Sequence, residues 1–133
     1  MIEHALRADL AQWLGDDSTL GARLNAVHEE GPVLSPAPTL AIVASAAADW
    51  SSKTSRGREV RLALELIDRS DRPAETAALL KRVEERIATL APEQSGYRIV
   101  VTQFLRSRTE RRPKALRAVL LEYRFRLLEL PTE

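Results

Sequence analysis

The sequence predicts an α+β fold: one antiparallel sheet of about four strands, covered by helices on one face, in the order helix, helix, strand, strand, helix, strand, strand. Three observations carry this. Residues 58–68 alternate, with Val60, Leu62, Leu64 and Leu66 on one side and Glu59, Arg61 and Glu65 on the other. Residues 2–14 and 73–90 instead repeat their apolar residues at helical spacing. The stretch 115–130, ALRAVLLEYRFRLLEL, fits both periods. As a strand it puts Val119, Leu121, Tyr123, Phe125 and Leu127 on one face, with Glu122, Arg124 and Arg126 on the other. As a helix it would align Leu116, Leu120, Tyr123, Leu127 and Leu130, but strand Leu121, Phe125 and Leu128 in a second stripe among charges. The strand hides both aromatics on one face and is the expectation.

Taken in order, Ile2, Leu6, Leu10, Trp13 and Leu14 make a first helix ending near Gly15. Ser18 is the expected N-cap of a short second helix over 19–25, with Leu20 and Leu24 inward. Residues 26–38 include GPVLSPAP and read as a loop, with room for a short strand at 26–30. The β-branched and small residues of 39–50 make a strand after Pro38. The polar SSKTSRG at 51–57 is a mobile hairpin loop leading into 58–68. Asp71 and Pro73 open a helix with Ala77, Leu80, Val83, Ile87 and Leu90 inward and Leu79 beside them. Its solvated side carries Lys81, Arg82, Glu84, Glu85 and Arg86, and Pro92 and Gly96 end it. A third strand over 97–105 leads through a basic turn, SRTERRPK, into the last strand. No internal repeat or low-complexity tract interrupts this order.

At 133 residues the chain is expected to be one domain over 1–133, long enough for a core. Its 44% apolar and 29% charged residues are globular chemistry, and a net charge of +1 makes it no general polyanion binder. The absence of cysteine fits an intracellular protein, and no apolar run reaches the ~20 residues of a bilayer span. The start, MIEHALRADL, lacks the pattern of a signal peptide, so the expected location is the cytoplasm.

No glycine-rich phosphate loop, nucleophile elbow, zinc motif or cysteine pair is present, so no catalytic, cofactor-binding or metal-binding residue is assigned. The acidic pairs Asp16-Asp17, Glu29-Glu30 and Glu84-Glu85 are sequence neighbours, which diverge by about 100° on a helix and form no dyad. His28 beside two glutamates reads as a surface histidine before a weak metal site. The local asymmetry is charge: Arg106, Arg108, Arg111, Arg112, Lys114 and Arg117 against Glu110 alone, with Lys53, Arg56 and Arg58 in the other hairpin. If the two loops project at related ends of the sheet, they could meet phosphate or an acidic protein surface; otherwise they are solvated tips. Trp50 ends a strand as a core edge or an interface anchor.

Three phrases, IEHALRADLAQWL, DWSSKTSRGREVRLALELIDRSDRPAETAALLKRVEERI and ALRAVLLEYRFRLLE, resemble the tail-completion, or tail terminator, proteins of long-tailed phages and gene transfer agents. The likeness spans most of the chain, and its poorly matching part is 29–38. It implies a homo-hexameric ring on the head-proximal end of the tail tube. Such a ring stops tube polymerisation and meets a head-completion or connector protein, with no cofactor, no bond-breaking step and no membrane. The subunit would be cytoplasmic during assembly and then part of the particle, with DNA passing through the ring. Lys53, Arg56, Arg108, Arg111 and Arg112 are the candidate channel or partner contacts; Trp50, Glu122, Arg124 and Arg126 are the candidate subunit interface. The competing reading is a free-standing nucleic-acid-binding domain using the basic hairpin 106–117. The lack of aromatics around it, Phe104 apart, speaks against single-strand stacking. An enzyme has the least support.

Overall fold

A computed structural model describes residues 2–30, 34–69 and 71–131. Residues 31–33 of the expected proline-rich loop lie outside them. Helix α1 (Ile2–Gly15) buries Leu6, Leu10 and Leu14 on one stripe, as its periodicity requires. Helix α2 (Ser18–Arg23) follows at once. Its cap is Asp17, not Ser18: the Asp17 carboxylate accepts from the Leu20 N–H at 3.0 Å. Two arginines of the third helix fix that carboxylate from the other side.

The sheet has six strands where about four were expected, all antiparallel but for one pairing. β2 (Thr39–Asp49), β3 (Gly57–Arg69), β5 (Tyr97–Arg112) and β6 (Leu116–Glu129) are its body, in the spatial order β2-β3-β6-β5. The additions are β1 (Ala26–His28), parallel to β2, and β4 (Glu93–Gln94), beside the start of β5. Neither is in the simple ααββαββ order: β1 falls within 26–30, where the sequence left room for a short strand, and β4 is too short to show a period of two.

Residues 115–130 are the strand β6, lodged between β3 and β5. Val60, Leu62, Leu64 and Leu66 of β3 and Val119, Leu121, Tyr123, Phe125 and Leu127 of β6 join one buried cluster with α1, α2 and α3 (Pro73–Ala88). Burying each such aliphatic or Phe side chain is worth about 1.5–3 kcal/mol. The inward stripe of α3 is Thr76, Leu79, Val83 and Ile87; Ala77 is exposed and Leu80 half-buried, contrary to the expected stripe. The Thr76 hydroxyl donates to Asp68 Oδ2 at 2.8 Å, which sets the roll of the helix against β3.

The larger correction concerns β5. It does not end near Leu105 in a basic turn but runs 16 residues to Arg112. Only residues 113–115 turn, with Lys114 at φ 64° and Ala115 at φ 58°. Three bulges bend the outer strands, at Val43 in β2 and at Val100 and Leu105 in β5. Each adds an unpaired residue and a local bend.

Register also settles where the loops go. Gly57 faces Leu128 and Arg69 faces Leu116; Asp49 faces Arg58 and Arg112 faces Leu116. The 50–56 loop and the 113–115 turn therefore project from opposite ends of the sheet, not related ones. Twelve steps of β3 at ~3.3 Å separate these ends by about 40 Å.

Candidate assembly surfaces

The helix-free face of the sheet is a charge ladder. Arg126 donates to Glu59 at 3.1 Å, and Arg124 approaches the same oxygen at 3.7 Å. Arg106 grips Glu122 with two hydrogen bonds, of 2.7 and 3.0 Å. Arg112 reaches Glu65 of β3 at 2.9 Å and Glu110 of its own strand at 2.8 Å, and Arg108 reaches Glu110 at 3.3 Å. The guanidinium of Arg112, then that of Arg108, holds the Glu110 carboxyl below its usual range; Arg106 does the same to Glu122. The bulge after Phe104 sets Arg106, Arg108, Glu110 and Arg112 on this face together, beside β6.

The nine candidate residues are thus distributed, not gathered. Arg108 and Arg112 belong to the ladder and carry internal carboxylate partners. Arg111 is exposed and makes no ion pair among the described residues. Lys53 and Arg56 are exposed and likewise unpaired, but lie at the far end of the sheet. Glu122, Arg124 and Arg126 sit on the outward face of β6, as the alternation indicates, one strand in from the β5 edge. Trp50 is half-buried just past β2, with the Arg126 guanidinium 5.5 Å from its ring centre.

The 50–56 loop carries its own hydrogen bonds. Ser52 N donates to Ser55 O at 2.8 Å, and Gly57 N to Ser51 Oγ at 2.9 Å. Gly57 is required here: a Cβ would collide with the Trp50 carbonyl and lie 2.9 Å from that of Leu127. The loop thus presents Lys53 and Arg56 on a hydrogen-bonded frame.

Two strand edges remain open. β1 covers only Thr39–Ala41 of β2, and β4 only Tyr97 and Arg98 of β5. The outer edges of 42–49 and 99–112 have no strand partner among the described residues. All of 43–49 is exposed, as are the bulge residues Val43 and Val100, at 45% and 47%. The sequence gives no sign of the bulges, and the edges become visible only once strand order is known. No group of histidine, cysteine or acidic residues able to hold a metal ion occurs among the described residues, and His28 is half-buried.

The tail completion protein gp17 family matches residues 8–128. The chain belongs to that family. Among solved structures it is similar to a chain of the virion of a native gene transfer agent particle, with a TM-score of 0.72 and 25% identity. The likeness covers 92% of this chain and 94% of that one. No curated protein matches. Tail completion proteins are structural components of the phage tail. No helix among the described residues is long and apolar enough to cross a membrane.

Proposed function

We propose that this tail completion protein assembles into a hexameric ring that caps the head-proximal end of the tail tube. There it stops tube polymerisation and joins tail to head through a head-completion or connector protein. The observation that carries the reading is the pair of open edges on opposite sides of one sheet. An exposed edge is a template for another strand. β2 and β5 run antiparallel, since three antiparallel pairings separate them. A β2 edge from one copy and a β5 edge from the next can therefore pair antiparallel, head to tail. A heterologous contact of this kind closes into a ring when its rotation permits. Trp50, just past β2, and Glu122, Arg124 and Arg126, on the outward face of β6 one strand in from the β5 edge, are the residues proposed to meet the neighbouring subunit.

The candidate channel contacts divide by charge compensation. Lys53, Arg56 and Arg111, free of internal partners, are proposed to meet the phosphates of passing DNA; Arg108 and Arg112 mainly hold the ladder. The alternative of a free nucleic-acid-binding domain loses support, because its basic hairpin is a strand with carboxylate partners. Within the ring, neutralising Lys53, Arg56 and Arg111 together lowers DNA delivery while ring mass is unchanged; normal delivery rejects the lining role. The capping role is tested by polymerising tube protein with and without this chain and measuring tubes by electron microscopy. Short tubes carrying a terminal ring are expected, and unaltered lengths would count against capping. The subunit then resides in the particle after assembly in the cytoplasm.

A further inference from the structure

The sheet end beyond β3 holds a recess. Its volume is about 350 Å³, and Arg23, Arg69 and Arg72 line it with Asp68, Glu75 and Leu79. Arg23 comes from the last turn of α2, Arg69 from the end of β3, and Arg72 from the N-cap of α3. The rim is held by Asn25, whose amide donates to the carbonyls of Pro36 and Ala37 at 2.8 and 3.1 Å.

The carboxylates in the wall are already committed. Asp68 accepts from the Arg69 N–H and the Thr76 hydroxyl, both at 2.8 Å. Glu75 pairs with Arg72 at 3.2 Å. Neither the Arg23 nor the Arg69 guanidinium has a partner among the described residues. Three guanidiniums against two carboxylates leave one positive charge, and Arg72 makes no side-chain cap on α3, whose positive end adds to it. Guanidinium forks suit a planar carboxylate. Leu79 and Pro38 offer an apolar wall to the two-methylene stem of a glutamate.

We infer that this recess binds a glutamate side chain in an acidic segment of a partner polypeptide. Arg69 faces Leu116 beside the 113–115 turn, so the recess and the Lys53–Arg56 loop mark opposite ends of the subunit. The partner's being a particle protein rests on the ring reading; the recess itself belongs to one chain.

The test uses the full chain and three probes: a capped peptide with two glutamates, its glutamine counterpart, and a short oligonucleotide. Nuclear magnetic resonance follows the arginine Nε–H signals. The glutamate peptide is expected to shift those of Arg23 and Arg69, and R23Q/R69Q to weaken its binding at least tenfold with the circular dichroism unchanged. Should that pair unfold, Arg23→Gln alone provides the same comparison. No shift, equal binding of the glutamine peptide, or a stronger response to the oligonucleotide overturns the proposal. Light scattering of the same chain with tube protein separates the two readings. A ring whose arginines ignore the peptide sinks the recess alone, whereas peptide binding without a ring supports the recess and contradicts the ring.

Discussion

Asp17 does more for this fold than its place in a polar linker suggests. It is buried, caps α2, and takes the Arg82 guanidinium through both carboxylate oxygens, with Arg86 3.9 Å away. Arg86 in turn lies 3.2 Å over the Trp13 ring, donates to the Trp13 carbonyl, and accepts the indole N–H on its own carbonyl. Two residues expected on the solvated side of α3 thus clamp the helices together. Neither partner is within 60 residues of Asp17, so no local pattern discloses the clamp. The Arg82 hydrogen bond, above all, holds the Asp17 carboxyl well below the usual range. Its folded pKa is depressed, so its stabilisation is present above the unfolded value of about 3.9 and is lost as pH falls below it. Asp17→Asn keeps a competent cap but should cost about 1.5–3 kcal/mol at pH 7, from the charge-assisted bonds to Arg82. Urea unfolding checks this: the gap between wild type and variant should narrow at pH 3, and a gap independent of pH would contradict the assignment.

Among the elements, those whose pattern repeats several times were legible. Alternation in β3 and β6 and the helical period of α1 each recur over at least three buried residues and survive packing unchanged. β5 was not legible beyond Leu105, because RSRTERR looks like a solvated turn when read alone. Arg106, Arg108 and Arg112 sit in a strand because Glu122 of β6, Glu65 of β3 and Glu110 of β5 itself supply the opposing charge. The bulges at Val43 and Val100 carry no sequence mark, yet they project apolar side chains at the two open edges. Charged side chains at an edge discourage strand addition. Val43→Lys with Val100→Lys should therefore leave the monomer's melting temperature nearly unchanged and abolish ring formation in size-exclusion chromatography with tube protein. Rings of normal mass from the double variant would show that the edges are not the seams.

At the scale of the whole molecule, one sheet face is packed on helices and the other carries compensated charge. Association has the two open edges, the two ends and the charged outward face of β6 to use. The family resemblance was visible in three phrases of sequence, and the match over 8–128 bears it out. The separation of the basic residues was not visible, because it depends on strand order and register: Lys53 and Arg56 lie about 40 Å of strand from the 113–115 turn. That separation puts unpaired basic side chains at both ends of the subunit instead of in one patch. The most direct measurement is the mass of the protein by light scattering, alone and with tail tube protein. Capping predicts a hexamer, either free or formed on the tube end. A chain that stays monomeric and has no affinity for tube protein would contradict it.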